Sequence, residues 1–167
     1  IITNDNTRPM PSQVTIPLLI QHFFYPETYY DITILLANGL HRKITGEEKL
    51  EKLGADLCGK YPVVNHDALD DTMLRYLGEL STGTPLYINK RLFECDLVIA
   101  EGFIEPHFFA GFSGGRKGVV PGVAGAKTIM HNHCPQNIAD SHASIAQLEG
   151  NPVHTELMEA MHRSPLH

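Results

Sequence analysis

The chain has no tryptophan, only three cysteines in 167 residues, and no apolar run close to the roughly 18 residues a membrane-crossing helix requires. Each scarcity excludes something. Cys58, Cys95 and Cys134 are odd in number and far apart, so a disulfide framework is not expected and reduced thiols in a cytoplasmic setting are. Cys134 stands beside His133, but a structural zinc site lacks its second cysteine cluster. Lysine and arginine total 13 against 19 acids, a net charge of -6, which removes the basic surface that nucleic acid or anionic lipid would need. A small acidic substrate would need local positive groups instead. No signal peptide opens the chain, which again predicts the cytoplasm. The first residue is Ile1 rather than methionine, and the chain stops at His167 just after an expected helix, so a portion of a longer polypeptide is expected.

What is present suits an ordinary globular domain, with 43% hydrophobic and 19% charged residues and length enough for one core. Residues Asp5 to Pro11, DNTRPMP, read as a polar turn that offers Arg8 to a ligand, although such an arginine is often only solvated. A helix follows from Ser12 to Phe24 with Val14, Leu18, Leu19 and Phe23 as its apolar face, and Pro17 must lie early in it or kink it. Tyr30 to Ala37 reads as a buried parallel strand ending in Asn38-Gly39-Leu40-His41, so His41 occupies a strand's end. Thr45 to Glu48 has capping-box spacing, and Gly54 would close the helix it starts. Tyr61 to Asn65 is a further strand, with His66-Asp67 behind it as a turn. Met73 to Leu80 and Pro85 to Ile88 are weaker ones, and Asp96 to Gly102 is strong. Asn151-Pro152 starts a final helix packed through Val153, Leu157 and Met161. Strands alternating with helices indicate an α/β domain, a Rossmann-like, largely parallel sheet with flanking helices.

The segment Glu105 to His133, EPHFFAGFSGGRKGVVPGVAGAKTIMHNH, is too rich in glycine to be one element and has the makings of a site. Pro106 keeps Glu105 from helical geometry, so His107 should leave the carboxyl end of the strand at Asp96 to Gly102, where open α/β sheets bind ligands. Gly111, Gly114 and Gly115 permit close backbone approach, and N–H groups there suit a phosphate, although a plain turn is the commoner meaning. The Walker pattern fails, because Arg116 stands where its second glycine belongs. Lys117 beside Arg116 is biased toward a neutral, nucleophilic amine. His131 and His133 would share a face on a strand and diverge on a helix.

In order and separation, DNTRPMP, NGLHRK, GTPLYIN, EPHFFAGFSGGRKGVVPG, Asn132-His133 and GNPVH resemble the amino-terminal domain of the lactate racemase family, whose members use a nickel-pincer nucleotide. The resemblance covers nearly the whole chain, residues 1–167, as an amino-terminal catalytic and cofactor-binding domain whose carboxyl-terminal partner domain is missing. It implies a racemase or epimerase of a small 2-hydroxy acid, with His41 and His107 as acid/base histidines. Lys117 would be joined covalently to the cofactor's pyridinium ring through a thioamide, and His133 would be the nickel ligand. Arg8 would hold the substrate carboxylate, with Asp5 near it, and Ser113, Gly114 and Gly115 would lie along the nucleotide. One departure is Leu40, an isobutyl group where the lactate enzymes carry a threonine hydroxyl.

The implied chemistry is physically reasonable. Taking hydride from the alcohol carbon while a base takes the hydroxyl proton avoids a carbanion, and two imidazoles suit enantiomers whose hydroxyls point in opposite directions. Square-planar Ni(II) with sulfur, carbon and sulfur donors leaves one corner for an imidazole. The resemblance further implies that the isolated piece turns over little, and that hosts lacking the cofactor's biosynthetic enzymes leave Lys117 unmodified. Two other readings remain: a zinc-dependent hydrolase built on His107, His131 and His133, and a non-catalytic relative that binds the nucleotide or a hydroxy acid.

Overall fold

A computed structural model describes residues 1–26 and 29–166 of the chain. Its centre is a parallel sheet of β1 (Ile2–Asn4), β2 (Ile34–Ala37) and β3 (Val63–Asn65), with β2 in the middle and Ile2 opposite Leu35. β2 is buried on both faces because its side chains alternate between two cores. Ile34 joins Ile16, Ile20, Leu53 and Leu57, while Leu35 joins Ile2, Leu86, Ile88 and Leu157. Each such fully buried aliphatic side chain stabilises the fold by about 1.5–3 kcal/mol relative to exposure.

The first core is covered by α1 (Ser12–Phe23) and α2 (Gly46–Lys60). The expected apolar face of α1 is the wrong one: Val14, Leu18 and Phe23 are exposed, Leu19 is half-buried, and Ser12, Ile16 and Ile20 face inward. Ser12 is drawn in because its hydroxyl donates to the buried carboxylate of Glu101 at 2.5 Å, and the four-residue row from Ser12 then follows. Pro17 stays inside the helix on its exposed side. Thr45 caps α2 through the expected box, its hydroxyl accepting from the Glu48 N–H and its own N–H donating to the Glu48 carboxylate. Gly54 breaks the helix at a φ of 81° as expected, yet helical turns resume to Lys60.

The second core lies beneath an antiparallel hairpin, β4 (Leu74–Glu79) and β5 (Pro85–Asn89). That hairpin makes the strand set less parallel than its alternation with helices suggested. Residues 123–125 run along β5, with Asn89 N–H on the Val123 carbonyl and Gly125 N–H on the Tyr87 carbonyl, both 2.9 Å. They lead into α3 (Ala126–Asn132), which is followed by α4 (Pro135–Ile138) and α5 (Pro152–His162). Asn151 caps α5 as its sequence predicts, accepting from the His154 N–H. His66 makes more than a local turn. It is fully buried, with Nε2 on the Ala124 carbonyl and Nδ1 against the Asn89 amide.

The strong strand expected at Asp96 to Gly102 is reduced to a parallel bridge, Ile2 opposite Ala100. Two bonds hold it on β1: Ile2 N–H to the Ile99 carbonyl, and Glu101 N–H to the Ile2 carbonyl. Side chains complete the attachment, because Thr3, Ser12 and Thr15 all donate hydroxyls to Glu101. The carboxyl ends of β1, β2 and this bridge therefore open on one edge of the sheet, leading to Asp5 and Arg8, to His41, and to His107.

Candidate active site

A hollow of about 260 Å³ lies along that edge, and its lining includes Asp5, Arg8, His41, His107, Lys117 and His133. The Asn38–His41 turn is closed by the His41 N–H on the Asn38 carbonyl, 2.8 Å, so the imidazole follows directly from β2. Its Nδ1 lies 2.6 Å from Asp5 Oδ2. Asp5 is 2% exposed, and its other carboxylate oxygen accepts the Thr7 N–H and hydroxyl. Asp5 is thus a partner of His41 rather than of Arg8, whose Nε is 3.5 Å from Glu105 across a half-exposed pair. Such a pair contributes at most about 1 kcal/mol, so a ligand carboxylate can displace Glu105.

His107 sits on a two-residue strand, β6 (Pro106–His107), paired with β7 (Gly111–Phe112). A 3-10 turn, Gly115–Gly118, then carries Lys117 beneath the hairpin. The Phe109 ring forms a wall between the groups: edge-on to His107 at 4.6 Å and to His133 at 5.1 Å, with the Lys117 ammonium 5.8 Å from its centre. Lys117 makes no ion pair among the described residues. Its amine is lowered to about 8, first by burial and then by Arg8 and Arg116, so the neighbour in sequence is the smallest of the three causes. His107 is lowered to about 4 by burial and by Lys117, Arg8, His133 and Arg116, in that order. Burial and Lys117 bring His133 to about 4 as well. Both imidazoles favour their uncharged forms, and the Lys117 amine gives up its proton more readily than an ordinary lysine.

His133 caps the C-terminus of α3, whereas His131 lies on the helix itself and is exposed. The helical arrangement separates the two, and among the described residues no group of three His, Cys, Asp or Glu side chains is placed to hold a metal ion. This removes the geometric basis of the three-histidine zinc reading. Ser113 and Gly114 line the hollow, but the Ser113 hydroxyl is committed, donating to the Phe103 carbonyl at 2.7 Å and accepting the Glu105 N–H at 3.0 Å. Its role here is to shape the loop. Gly115 is exposed and does not line the hollow.

Three lining residues carry buried polar atoms with no hydrogen-bond partner among the described residues: Asn4 Oδ1, Asn38 Oδ1 and His133 Nδ1. Sequence reasoning passed over Asn4 and named Asn38 only as the start of the NGLHRK segment, assigning neither a role; their position at the ends of β1 and β2 was the available signal. Glycine matters most at Gly122, where a Cβ would meet the Gly118 carbonyl oxygen at 2.4 Å and Ala37 Cβ at 2.8 Å. Only that close approach lets the Gly122 carbonyl take the Gly39 N–H and dock the Lys117 segment on the end of β2.

The residues fit the group that the family resemblance implies. A neutral His133 imidazole whose Nδ1 has no partner among the described residues is the form that ligates a metal, and an amine lowered to about 8 yields its free base, the form that can be acylated, more readily than an ordinary lysine. Arg8, Lys117 and Arg116 concentrate positive charge where a phosphate or carboxylate would sit.

Comparison with known proteins agrees with the geometry. The profile of the lactate racemase N-terminal domain matches residues 1–146. Lactate racemases of Thermoanaerobacterium thermosaccharolyticum and Lactiplantibacillus plantarum are 43% and 42% identical over 166 residues, 99% of this chain and 39% of each relative. The solved lactate racemase apoprotein from T. thermosaccharolyticum superposes with a TM-score of 0.95 at 43% identity, over 98% of this chain and 39% of that one. A protein of known structure from Thermotoga maritima gives 0.82 at 25% identity, over 96% and 41%. The chain thus spans about two fifths of the length of the relatives it matches. On the profile, the identity and the fold together, the chain belongs to the lactate racemase family, over the part that forms its N-terminal domain.

Proposed function

We propose that this chain is the cofactor-bearing portion of a racemase or epimerase acting on a small 2-hydroxy acid, lactate or a near relative. What carries the reading is the convergence of Asp5, Arg8, His41, His107, Lys117 and His133 on one hollow from separate strand ends and loops. Lys117 would anchor a nickel-pincer nucleotide through its amine and His133 would ligate the nickel. When bound, that group supplies a reversible hydride acceptor. Arg8 pairs with the substrate carboxylate in place of Glu105 and so orients the C2 carbon. His41 and His107, from opposite chain segments, hold and move the proton of the C2 hydroxyl. The Phe109 ring and the half-buried loop around it shield the Lys117 amine and the imidazoles of His107 and His133 from water. Leu40 lines the hollow beside His41 and is 53% exposed, an apolar contact for the substituent on C2.

The test is co-expression of the protein with the enzymes that make the cofactor, followed by intact mass, peptide mapping, metal analysis and a chiral assay of 2-hydroxy acids. An adduct on Lys117 with about one nickel per chain, and interconversion of enantiomers, is the expected outcome. Stoichiometric zinc without an adduct would reject the proposal.

A further inference from the structure

Two of the histidines in the hollow, His41 and His107, are hydrogen-bonded through the same ring nitrogen to partners of opposite kind. His41 Nδ1 meets a carboxylate, Asp5 Oδ2, at 2.6 Å. A carboxylate only accepts, so the Nδ1 of His41 must carry hydrogen. His107 Nδ1 meets two backbone donors, the N–H groups of Phe109 and Ala110, at 3.5 and 3.3 Å. An N–H only donates, so the Nδ1 of His107 must be bare. A neutral imidazole has one proton, and its second nitrogen takes the complementary state.

We propose that the fold holds His41 and His107 in opposite tautomers, His41 offering a bare Nε2 and His107 an Nε2–H. The inference rests on the reading of the hollow as a hydroxy acid site and assigns its two imidazoles unequal tasks. A C2 hydroxyl facing His41 loses its proton to Nε2: the O–H bond breaks, an N–H bond forms, and the resulting imidazolium faces Asp5. His107 instead donates Nε2–H to a C2 oxygen, the use of neutral imidazole as an electrophile. For His107 to act as a base, the turn at 108–110 has to withdraw its two N–H groups from Nδ1.

That turn is pinned from outside. Arg116 donates to the carbonyls of Ala110 and Phe112 at 2.6 and 3.1 Å, and the Asn151 amide donates to that of Phe109 at 2.9 Å. The Phe109 carbonyl lies on the same peptide as the Ala110 N–H, so the Asn151 bond fixes the nearer of the two donors, while Arg116 holds the carbonyls of Ala110 and Phe112 that follow it in the turn. Burial and the nearby cations Lys117 and Arg8 also oppose a charged His107.

The experiment is long-range proton–nitrogen correlation on protein labelled with 15N-histidine, without cofactor, near about pH 8 where imidazoles are neutral. His41→Gln and His107→Gln assign the signals. Expected is the Nδ1–H form for His41 and the Nε2–H form for His107. The same form at both positions, or the reverse pair, overturns the proposal. Asp5→Asn should move His41 out of the Nδ1–H form and leave His107 unchanged; no movement at His41 rejects Asp5 as the lock. Asn151→Ala should mix the His107 forms alone, and should this variant not fold, the unaltered protein and Asp5→Asn still decide. No turnover is needed, so the tautomers can fail while racemisation stands, and racemisation can fail while the tautomers stand.

Discussion

Two hollows invite comparison. The larger, about 760 Å³, runs between α1 and α2 and is lined by residues such as Gln13, Ile20, Phe24, Leu53 and Leu57. The smaller, about 260 Å³, lies at the carboxyl edge of the sheet. Volume favours the first, chemistry the second. Among the described residues the larger groove has no histidine, arginine or cysteine in its lining, whereas the smaller brings together His107 and His133, each lowered to about 4, and Lys117, lowered to about 8, by burial first and nearby cations second. The difference teaches that an open sheet concentrates function where parallel strands end, because every strand delivers a loop there. The groove between helices is where side chains of unequal length leave a gap over a core.

The comparison breaks if the small hollow tolerates substitution, and the largest effect is expected at Lys117→Ala: no adduct by intact mass and no racemisation above background. Next, His41→Ala and His107→Ala should each lower turnover by about 10²–10⁴-fold, the usual contribution of a positioned acid or base. Chiral assay of loaded protein checks both, and wild-type turnover in either would assign the proton elsewhere. Under the larger groove, Leu53→Ala should instead destabilise the fold by about 2–5 kcal/mol in denaturant titration while the folded fraction keeps its turnover.

A pH series sharpens the contrast further. His107 and His133 sit near 4 in the fold against an ordinary 6.5, so between those values the unfolded chain binds more protons than the folded one. Stability is then full above about 6.5 and declines as pH falls toward about 4, with buried His66 pushing the same way. Melting temperatures across that window should show the decline, and the double variant His107→Gln, His133→Gln should flatten it. The smallest effect belongs to Gln21→Ala in the large groove: stability within about 0.5 kcal/mol of wild type and unchanged turnover. A loss of activity there would make the groove a working site.

Much of the fold was legible because local rules sufficed. The capping box at Thr45, the helix start at Asn151 and the core residues Val153 and Leu157 all form as their residues dictate. The α1 face was misread because Glu101, 89 residues away from Ser12, pulls a polar side chain inward, and no periodicity within the helix contains that partner. The strand at Asp96 to Gly102 shrank because its backbone pairs with β1 only around Ile2 and side-chain hydroxyls hold the rest.

By itself the sequence determined which residue types were available at the strand ends and in the Glu105 to His133 segment, and with the family resemblance it marked Arg8, His41, His107, Lys117 and His133. Only the tertiary structure decided that Asp5 meets His41, that the Ser113 hydroxyl is bonded within its own loop while Gly115 lies outside the hollow's lining, and that His131 is exposed on the helix that His133 ends. The reason is physical: a side chain's chemistry is set by residue type, but its proton, its charge and its partner are set by groups that come near only when distant segments pack together.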